Sequence, residues 1–203
     1  MKRIFCVLTA LLLIALCACG LPEPETTMAT TELQTTAEAP STTERIITEI
    51  EVEAMLSESA KNYTELVERI RNFINDAKEW YHFYADCVLY DMDDDGVPEL
   101  FIKFGTCEAD YTWYVYAQEN GKASLIGKTG GTRYSALHGC GAGGVYKSYG
   151  RQGNYGVNKI IKQDGKLLET TVVEYHYAED SGNYDDPSDM VDIPTINIED
   201  FHI

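Results

Sequence analysis

The chain has 203 residues and a formal net charge of −17, because 33 acidic residues outnumber 16 basic ones. Such an acidic chain does not attract nucleic acid or anionic lipid through bulk electrostatics, since both carry negative charge themselves. We therefore exclude nucleic acid as a partner. The acidity is typical of a secreted, calcium-loaded protein, although solubility alone also explains it.

The N-terminus has the pattern of a secretory signal. Met1-Lys2-Arg3 precedes an apolar run from Ile4 to Ala18 that is too short to span a membrane. The run ends in Leu-Cys-Ala-Cys-Gly, which resembles the bacterial lipobox with Leu16 three residues before Cys19. We interpret residues 1–19 as a lipoprotein signal peptide and lipobox, with Cys19 as the lipidated residue. The alternative is an ordinary secreted protein without the lipid.

Residues 20–45 are rich in Thr, Pro, Glu and Ala and show no apolar periodicity. A segment of this kind cannot bury enough apolar surface to offset the entropy lost on ordering, so we predict a disordered tether. Lipid on Cys19 anchors a chain to the membrane without spanning it. The predicted localisation is the cell membrane, lipid-anchored, with the folded part on the extracellular or periplasmic side.

Residues 46–203 are long enough for one domain with its own core. Thr48-Glu49-Ile50-Glu51 reads as a capping box that opens a helix. Apolar residues then recur at a spacing of three and four from Leu56 to Tyr81, which is the pattern of an amphipathic helix. We predict one long N-terminal helix that covers one face of a sheet.

The acidic stretch between Asp91 and Leu100 has the composition of a calcium loop. Aspartates alternate through Asp91, Asp93 and Asp95, Gly96 permits a sharp turn, and Glu99 follows four residues after Asp95. Calcium prefers about six to eight oxygen ligands, which such loops supply from alternate positions together with one carbonyl. The predicted ligands are the side chains of Asp91, Asp93, Asp95 and Glu99 and the carbonyl of Val97. A solvated acidic turn without a metal is the alternative.

The flanks of this loop predict strands. Cys87–Tyr90 and Leu100–Phe104 are short, apolar and rich in β-branched or aromatic residues. The twelfth position, where an EF-hand carries a bidentate Glu, is Ile102. The loop resembles those of FG-GAP or VCBS propeller repeats, and an EF-hand-like loop found in many lipoproteins of gut Firmicutes. The resemblance implies a calcium site, for which a structural role is favoured over a regulatory one, and it implies no activity.

Two further hairpins are predicted after the loop. Strand-like Tyr111–Tyr116 and Ala123–Ile126 flank an Asn-Gly turn, and Lys159–Lys162 and Leu167–Tyr177 flank an Asp-Gly turn. The Gly-rich segment between them, residues 130–156, indicates loops or very tight strands. We predict an α+β fold, with the long N-terminal helix packed on an antiparallel β-meander of about six to eight strands.

The remaining side chains point to no single chemistry. Cys107 with Cys140 is the expected disulfide, and Cys140 with His138 is a weak thiol–base pair without an orienting third residue. The many tyrosines suit core packing, although a minority, with Trp113 as a stacking platform, suit a glycan or protein ligand. We predict a non-catalytic cell-surface binding module. The alternative is an extracellular hydrolase acting on envelope or dietary polymer.

Overall fold

The computed structural model describes residues 46–107, 109–141, 143–151, 153–176 and 185–203. The signal peptide, the lipobox with Cys19 and the tether are predictions that lie outside these residues. The described part is mostly β-structure, with ten strands in two five-stranded antiparallel sheets and two short helices. Sheet 1 has the order β10-β1-β2-β3-β4 and sheet 2 the order β8-β7-β6-β5-β9.

The elements follow one another as two helices and then ten strands. Their bounds are α1 Glu49–Ser57, α2 Tyr63–Ala77, β1 Tyr84–Tyr90, β2 Glu99–Gly105, β3 Thr112–Glu119, β4 Lys122–Gly130, β5 Ala136–Cys140, β6 Val145–Arg151, β7 Asn154–Gln163, β8 Lys166–His176, β9 Met190–Asp192 and β10 Ile196–Asn197.

The predicted fold class is wrong in its helix and in its sheet. The capping box at Thr48 and Glu51 is present, but the helix that it opens ends at Ser57. Ala60 then pairs with Ala123 of β4 through two main-chain hydrogen bonds of 2.8 and 2.9 Å, so the chain is extended there. Asn62 caps a second helix by accepting from the Glu65 N–H. The three- and four-residue spacing of apolar side chains continues through the extended segment at Ala60 because the helices before and after it pack on the same sheet.

The sheet also differs from the predicted meander of about six to eight strands. Residues of the Gly-rich segment form β5 and β6, and the last turns of the chain add β9 and β10. β10 pairs with β1, and β9 pairs with β5, so the C-terminal segment joins both sheets. β10 has only two residues, which is too short for an alternation of apolar and polar side chains, so the sequence did not predict it.

The helices cover the outer face of sheet 1. Leu56, Leu66 and Ile70 are fully buried and pack against apolar side chains of β1, β2 and β3. Burying a leucine or isoleucine side chain contributes about 1.5–3 kcal/mol each. Tyr63 of α2 also donates a hydrogen bond of 3.0 Å to the Pro98 carbonyl. The helix thereby holds the end of the β1–β2 loop in place.

The inner face of sheet 1 packs on sheet 2. Cross-strand partners share a face, so Val88, Phe101 and Val115 form one row across β1, β2 and β3. This row contacts buried residues of sheet 2, among them Leu137 and Ile160. By the same alternation, the inner face of β2 continues into charged residues beyond the apolar row, with Glu99 at one end and Lys103 at the other.

Two of the predicted hairpin turns are confirmed. Asn120 and Gly121 join β3 to β4, and both have positive φ, at 53° and 71°. Asp164 and Gly165 join β7 to β8 with φ of 54° and 69°. A turn with positive φ at two consecutive residues matches the twist of the flanking strands. This is why Asn-Gly and Asp-Gly are such strong hairpin signals.

β8 is the edge strand of sheet 2 and has eleven residues. It pairs with β7 along its whole length, and no other strand of the described residues pairs with its second side. Leu168 and Val172 are largely exposed on it.

Candidate functional site

The β1–β2 loop is folded by its own aspartates. Asp91 accepts hydrogen bonds from the Asp95 N–H at 3.1 Å and from the Gly96 N–H at 2.8 Å. Asp94 and Gly96 have positive φ, at 58° and 86°, which bends the chain back toward Asp91. Asparagine and aspartate tolerate this conformation better than other non-glycine residues, and glycine adopts it freely.

Three of the five predicted metal ligands converge at this loop. One carboxylate oxygen from each of Asp91, Asp93 and Glu99 lies within 4.8 Å of the other two. Asp95 does not belong to this group, since its Oδ1 accepts from the Val97 N–H at 2.8 Å. The Val97 side chain is exposed, and the structure gives no role for its carbonyl. We call Asp91, Asp93 and Glu99 the acidic cluster.

A lysine that was not among the predicted site residues completes the acidic cluster. Lys162 Nζ lies 2.9 Å from Glu99 Oε1 and 3.0 Å from Asp93 Oδ2. Lys162 is near the end of β7, in the second predicted hairpin. Its contact was not predicted because the sequence identifies each hairpin but not which strand of one sheet lies opposite a loop of the other.

Burial and the ion pair oppose each other in this group. Glu99 is only 1% exposed, and this burial raises the pKa of its carboxyl. The contact with Lys162 and the hydrogen bond that Glu99 accepts from the Met92 N–H at 3.1 Å lower this pKa, but by less than burial raises it. Burial also disfavours the Lys162 ammonium, but hydrogen bonds to Glu99 and Asp93 outweigh it and raise the pKa of Lys162. The ammonium is therefore charged at neutral pH and attracts both carboxylates.

The donor set of the acidic cluster suits a hard divalent cation. Carboxylate oxygens are the ligands that Ca²⁺ prefers. Three carboxylates against one ammonium leave the group negative, and Asp94 and Asp95 add further charge within the same loop. Lys162 already contacts one oxygen of Asp93 and one of Glu99. A bound cation would share these carboxylates with Lys162 or replace it.

A polar cavity lies at the other end of the inner face of sheet 1. Its volume is about 450 Å³, and Asp86, Lys103 and Arg133 supply charged groups to its wall. Tyr84 and Tyr111 contribute phenol rings, and Thr106 and the exposed Cys107 complete the lining. We call this feature the polar cavity. None of these residues was a predicted site residue.

A line of hydrogen bonds crosses sheet 2. His138 Nε2 lies 2.9 Å from Ser148 Oγ, and His138 Nδ1 lies 3.0 Å from Asp192 Oδ1. The weak thiol–base pair of Cys140 with His138 is not formed among the described residues, where Cys140 Sγ instead lies 3.7 Å from Asp189 Oδ2. The serine could not be anticipated, since it belongs to the neighbouring strand β6.

The expected disulfide is not formed. Cys87, Cys107 and Cys140 are free thiols, the first and third buried and the second exposed. Trp113, the suggested stacking platform, is 0% exposed and donates to Ser135 Oγ at 3.0 Å. It belongs to the core and cannot contact a ligand.

No protein-family model, curated protein or solved structure matches this chain. Among the described residues, neither helix has the length and apolar character needed to cross a membrane.

Proposed function

We propose that this protein is a non-catalytic binding module, anchored by lipid on Cys19 outside the cytoplasm, whose β1–β2 loop holds a structural Ca²⁺. The observation that carries the calcium proposal is the convergence of Asp91, Asp93 and Glu99 within 4.8 Å. The resemblance of the loop to FG-GAP, VCBS and EF-hand-like loops supports the same ion.

Calcium would stabilise the β1–β2 loop. Asp91 and Asp93 belong to the loop between β1 and β2, and Glu99 is the first residue of β2, whereas Lys162 belongs to β7 of sheet 2. Like charges brought together in the folded state repel each other, and a divalent cation relieves this repulsion. Asp91, Asp93 and Glu99 would hold the ion, and its role would be structural because the loop connects two core strands.

Calcium titration followed by thermal unfolding tests this role. A ligand that binds only the folded state at 100 times its Kd raises the free energy of unfolding by about 2.7 kcal/mol. We expect a higher melting temperature in calcium than in EDTA, and we expect Asp93→Asn to abolish the difference. Asp164→Asn, at the exposed β7–β8 turn, is the matched control and should retain the shift. An identical melt in calcium and in EDTA for the unaltered chain would refute the site.

The variant Asp95→Asn separates the predicted ligand set from the observed cluster. Asp95 lies outside the cluster and accepts only the Val97 N–H within the described residues. If the Asp95 carboxylate becomes a ligand when calcium binds, Asp95→Asn will reduce the calcium-induced rise in melting temperature as strongly as Asp93→Asn does. If the three-carboxylate cluster is the site, most of the shift will remain.

The binding role is supported by the polar cavity, which is open and lined by side chains of both charges and by tyrosines. Ligand pockets of proteins are typically about 300–1,000 Å³, and a few convergent polar groups set their specificity. A screen of glycans, peptidoglycan fragments and peptides against the full chain, with and without calcium, tests the role. Absence of any ligand in this screen would argue against a binding module.

A hydrolase is the second candidate, and the Ser148–His138–Asp192 line favours it. The distances match those of a nucleophile, a base and an orienting carboxylate. However, all three residues belong to β5, β6 and β9, and β5 and β6 each have paired strands on both sides. Acyl transfer also needs N–H donors aimed at the developing oxyanion, and such donors are engaged inside a sheet. The binding module is therefore the better-supported reading.

Labelling with a fluorophosphonate distinguishes the two candidates. This reagent forms a covalent bond with an activated serine and leaves an ordinary serine untouched. We expect no labelling of the full chain. Labelling that Ser148→Ala removes, and that Ser57→Ala on the exposed end of α1 leaves intact, would establish the hydrolase instead.

A further inference from the structure

The polar cavity presents two charged groups that make no side-chain hydrogen bond or ion pair within the described residues. The Arg133 guanidinium is exposed and makes no hydrogen bond or ion pair there, and the Asp86 carboxylate is half-buried and likewise makes none. Unpaired charge at the wall of a cavity is costly to desolvate, unless a ligand supplies the partner. The two groups therefore indicate which functional groups a ligand must carry.

Lys103 is a buried residue at the wall of the cavity and is held by two hydrogen bonds. Its Nζ donates to the Arg133 carbonyl at 2.8 Å and to the Ser135 carbonyl at 3.1 Å. It also lies 5.3 Å from the centre of the Tyr111 ring and 5.6 Å from that of Trp113. A lysine ammonium has three N–H donors, so one remains for a ligand. Because Lys103 binds the Arg133 carbonyl, it also fixes the loop that displays the Arg133 guanidinium.

Two positive groups next to each other favour an anion. Lys103 and Arg133 both line the cavity, and the Lys103 ammonium contacts the Arg133 main chain at 2.8 Å, so the two positive charges belong to the same wall. Burial lowers the pKa of Lys103, Asp86 acts to raise it, and Arg133 lowers it further. Asp110, which lies beside this wall, accepts hydrogen bonds from the N–H groups of Thr106 and Cys107 and is thus engaged by its own loop. With Asp86 included, the charged lining carries one net positive charge on a chain of net charge −17.

Asp86 determines what the rest of the ligand must be. Its carboxylate accepts hydrogen bonds but donates none at neutral pH, so the ligand has to present donors. An ammonium group on the ligand would be repelled by Lys103, which is the cross-strand neighbour of Asp86 on β2. Hydroxyl groups donate without adding positive charge. A ligand with one carboxylate and several hydroxyls matches the cavity better than an amino acid zwitterion does.

We infer that the polar cavity binds a sugar acid, that is, a uronic acid unit of an acidic polysaccharide or oligosaccharide. Arg133 binds the carboxylate in the two-pronged geometry that a guanidinium favours, and the free N–H of Lys103 assists. Asp86 accepts from ring hydroxyls, and the rings of Tyr84 and Tyr111 contact the sugar face. The volume of about 450 Å³ accommodates one or two such units. This inference rests on the proposed binding role but not on calcium.

Titration of the full chain with D-galacturonate and D-glucuronate, followed by NMR of the backbone amides, tests the inference. We expect both acids to shift signals around the cavity, and D-galactose, D-glucose and L-serine to bind at least tenfold more weakly. Arg133→Ala should weaken the acids about ten- to hundredfold, which is the effect of losing a hydrogen bond to a charged group. The affinity should fall as salt is added.

Two matched variants control this experiment. Tyr134→Ala changes the next residue of the same loop, which is exposed and does not line the cavity, and Lys166→Ala removes an exposed positive charge elsewhere. Both should retain the affinity. Tyr84→Ala, at the exposed start of β1, should weaken the acids about two- to tenfold and provides a second variant should Arg133→Ala fold poorly.

The outcomes separate the ligand class from the binding role. Equal binding of neutral sugars or of L-serine at the cavity would overturn the sugar-acid inference and leave the binding module standing. Sugar-acid binding that Arg133→Ala and Tyr84→Ala do not weaken would place the acids elsewhere and overturn the inference. Absence of binding by either acid would also overturn it, and the screen described above would then decide the binding role.

Discussion

At one end of the inner face of sheet 1, the buried Glu99 carboxylate contacts the Lys162 ammonium at 2.9 Å. At the other end, the buried Lys103 ammonium contacts only carbonyl oxygens and aromatic rings, and Asp86 on the neighbouring strand forms no ion pair with it among the described residues. Both charges lie at the border of the same apolar row. One end is closed by opposite charges, and the other leaves charged groups facing an open cavity.

One sheet therefore supports two kinds of site. An ion pair satisfies both members, so it contributes to stability only to the extent that attraction exceeds the loss of hydration. A lysine held by carbonyls keeps its positive charge available, and the side chains of Arg133 and Asp86 form no ion pair within the described part of the chain. We therefore expect substitutions at the Glu99 end to change the free energy of unfolding and the binding of calcium. Substitutions at the Lys103 end should chiefly change the binding of ligands.

The largest effect is expected from Lys162→Met. The methionine keeps the apolar stem but leaves the Glu99 carboxylate buried, with the Met92 N–H as its one remaining hydrogen-bond partner among the residues that the structure describes. Removing one member of a buried pair costs about 3 kcal/mol or more. Urea unfolding at pH 7 without calcium measures the loss, with Lys166→Met, at the exposed start of β8, as the control.

The pH dependence of this loss follows from Glu99. Burial raises the pKa of Glu99, so the folded state holds this proton more tightly than the unfolded state does. The free-energy cost of burying the ionised Glu99 carboxylate is thus present above the pKa that Glu99 has in the folded state. It disappears as the pH falls through that pKa. The deficit of Lys162→Met should shrink as the pH is lowered from 7, and calcium should rescue the variant more than the unaltered chain. A deficit that does not change with pH would mean that lost packing is responsible.

A smaller effect is expected from Lys103→Met. The variant loses two hydrogen bonds from an ammonium to the carbonyls of Arg133 and Ser135, and we expect a loss of about 2 kcal/mol in the free energy of unfolding. Lys128→Met, which removes a half-exposed lysine of β4, is the control and should change the free energy by less than about 1 kcal/mol. A loss as large as that of Lys162→Met would show that the two ends are not different in kind.

The smallest effect is expected from Asp86→Asn. Burial raises the pKa of Asp86, more than the nearby Lys103 lowers it, so its charged form is unfavourable in the folded state. This cost is present above the folded pKa and is lost as the pH falls. The variant should be as stable as the unaltered chain or slightly more stable at pH 7, within about 1 kcal/mol, and should show a weaker pH dependence between pH 4 and 6. Asp164→Asn is the isosteric control.

The hairpins and the acidic loop were predictable from the sequence because their signals are local. Asn120-Gly121 and Asp164-Gly165 permit the backbone angles that the turns require. The alternation of Asp91 and Asp93 before Gly96 places carboxylates along one bend of the chain, and three of the five predicted ligands, Asp91, Asp93 and Glu99, form the acidic cluster.

The contacts between sheets were not predictable from the sequence, because they depend on tertiary packing. Nothing near Lys162 in the chain indicates that its ammonium reaches Glu99, 63 residues away. The polar cavity likewise joins strands β1 and β2 to the loop that carries Arg133. The helix was predicted as one because Ala60 keeps the apolar spacing, although it pairs with β4 instead of continuing the helix.

The long edge strand β8 has a consequence for how the protein behaves in concentrated solution. An extended edge with exposed apolar side chains offers main-chain groups on which a second chain can add a strand. The whole chain is strongly acidic, so copies repel each other at neutral pH. Lowering the pH reduces this net negative charge, so association through the β8 edge will increase and solubility will decline at acidic pH.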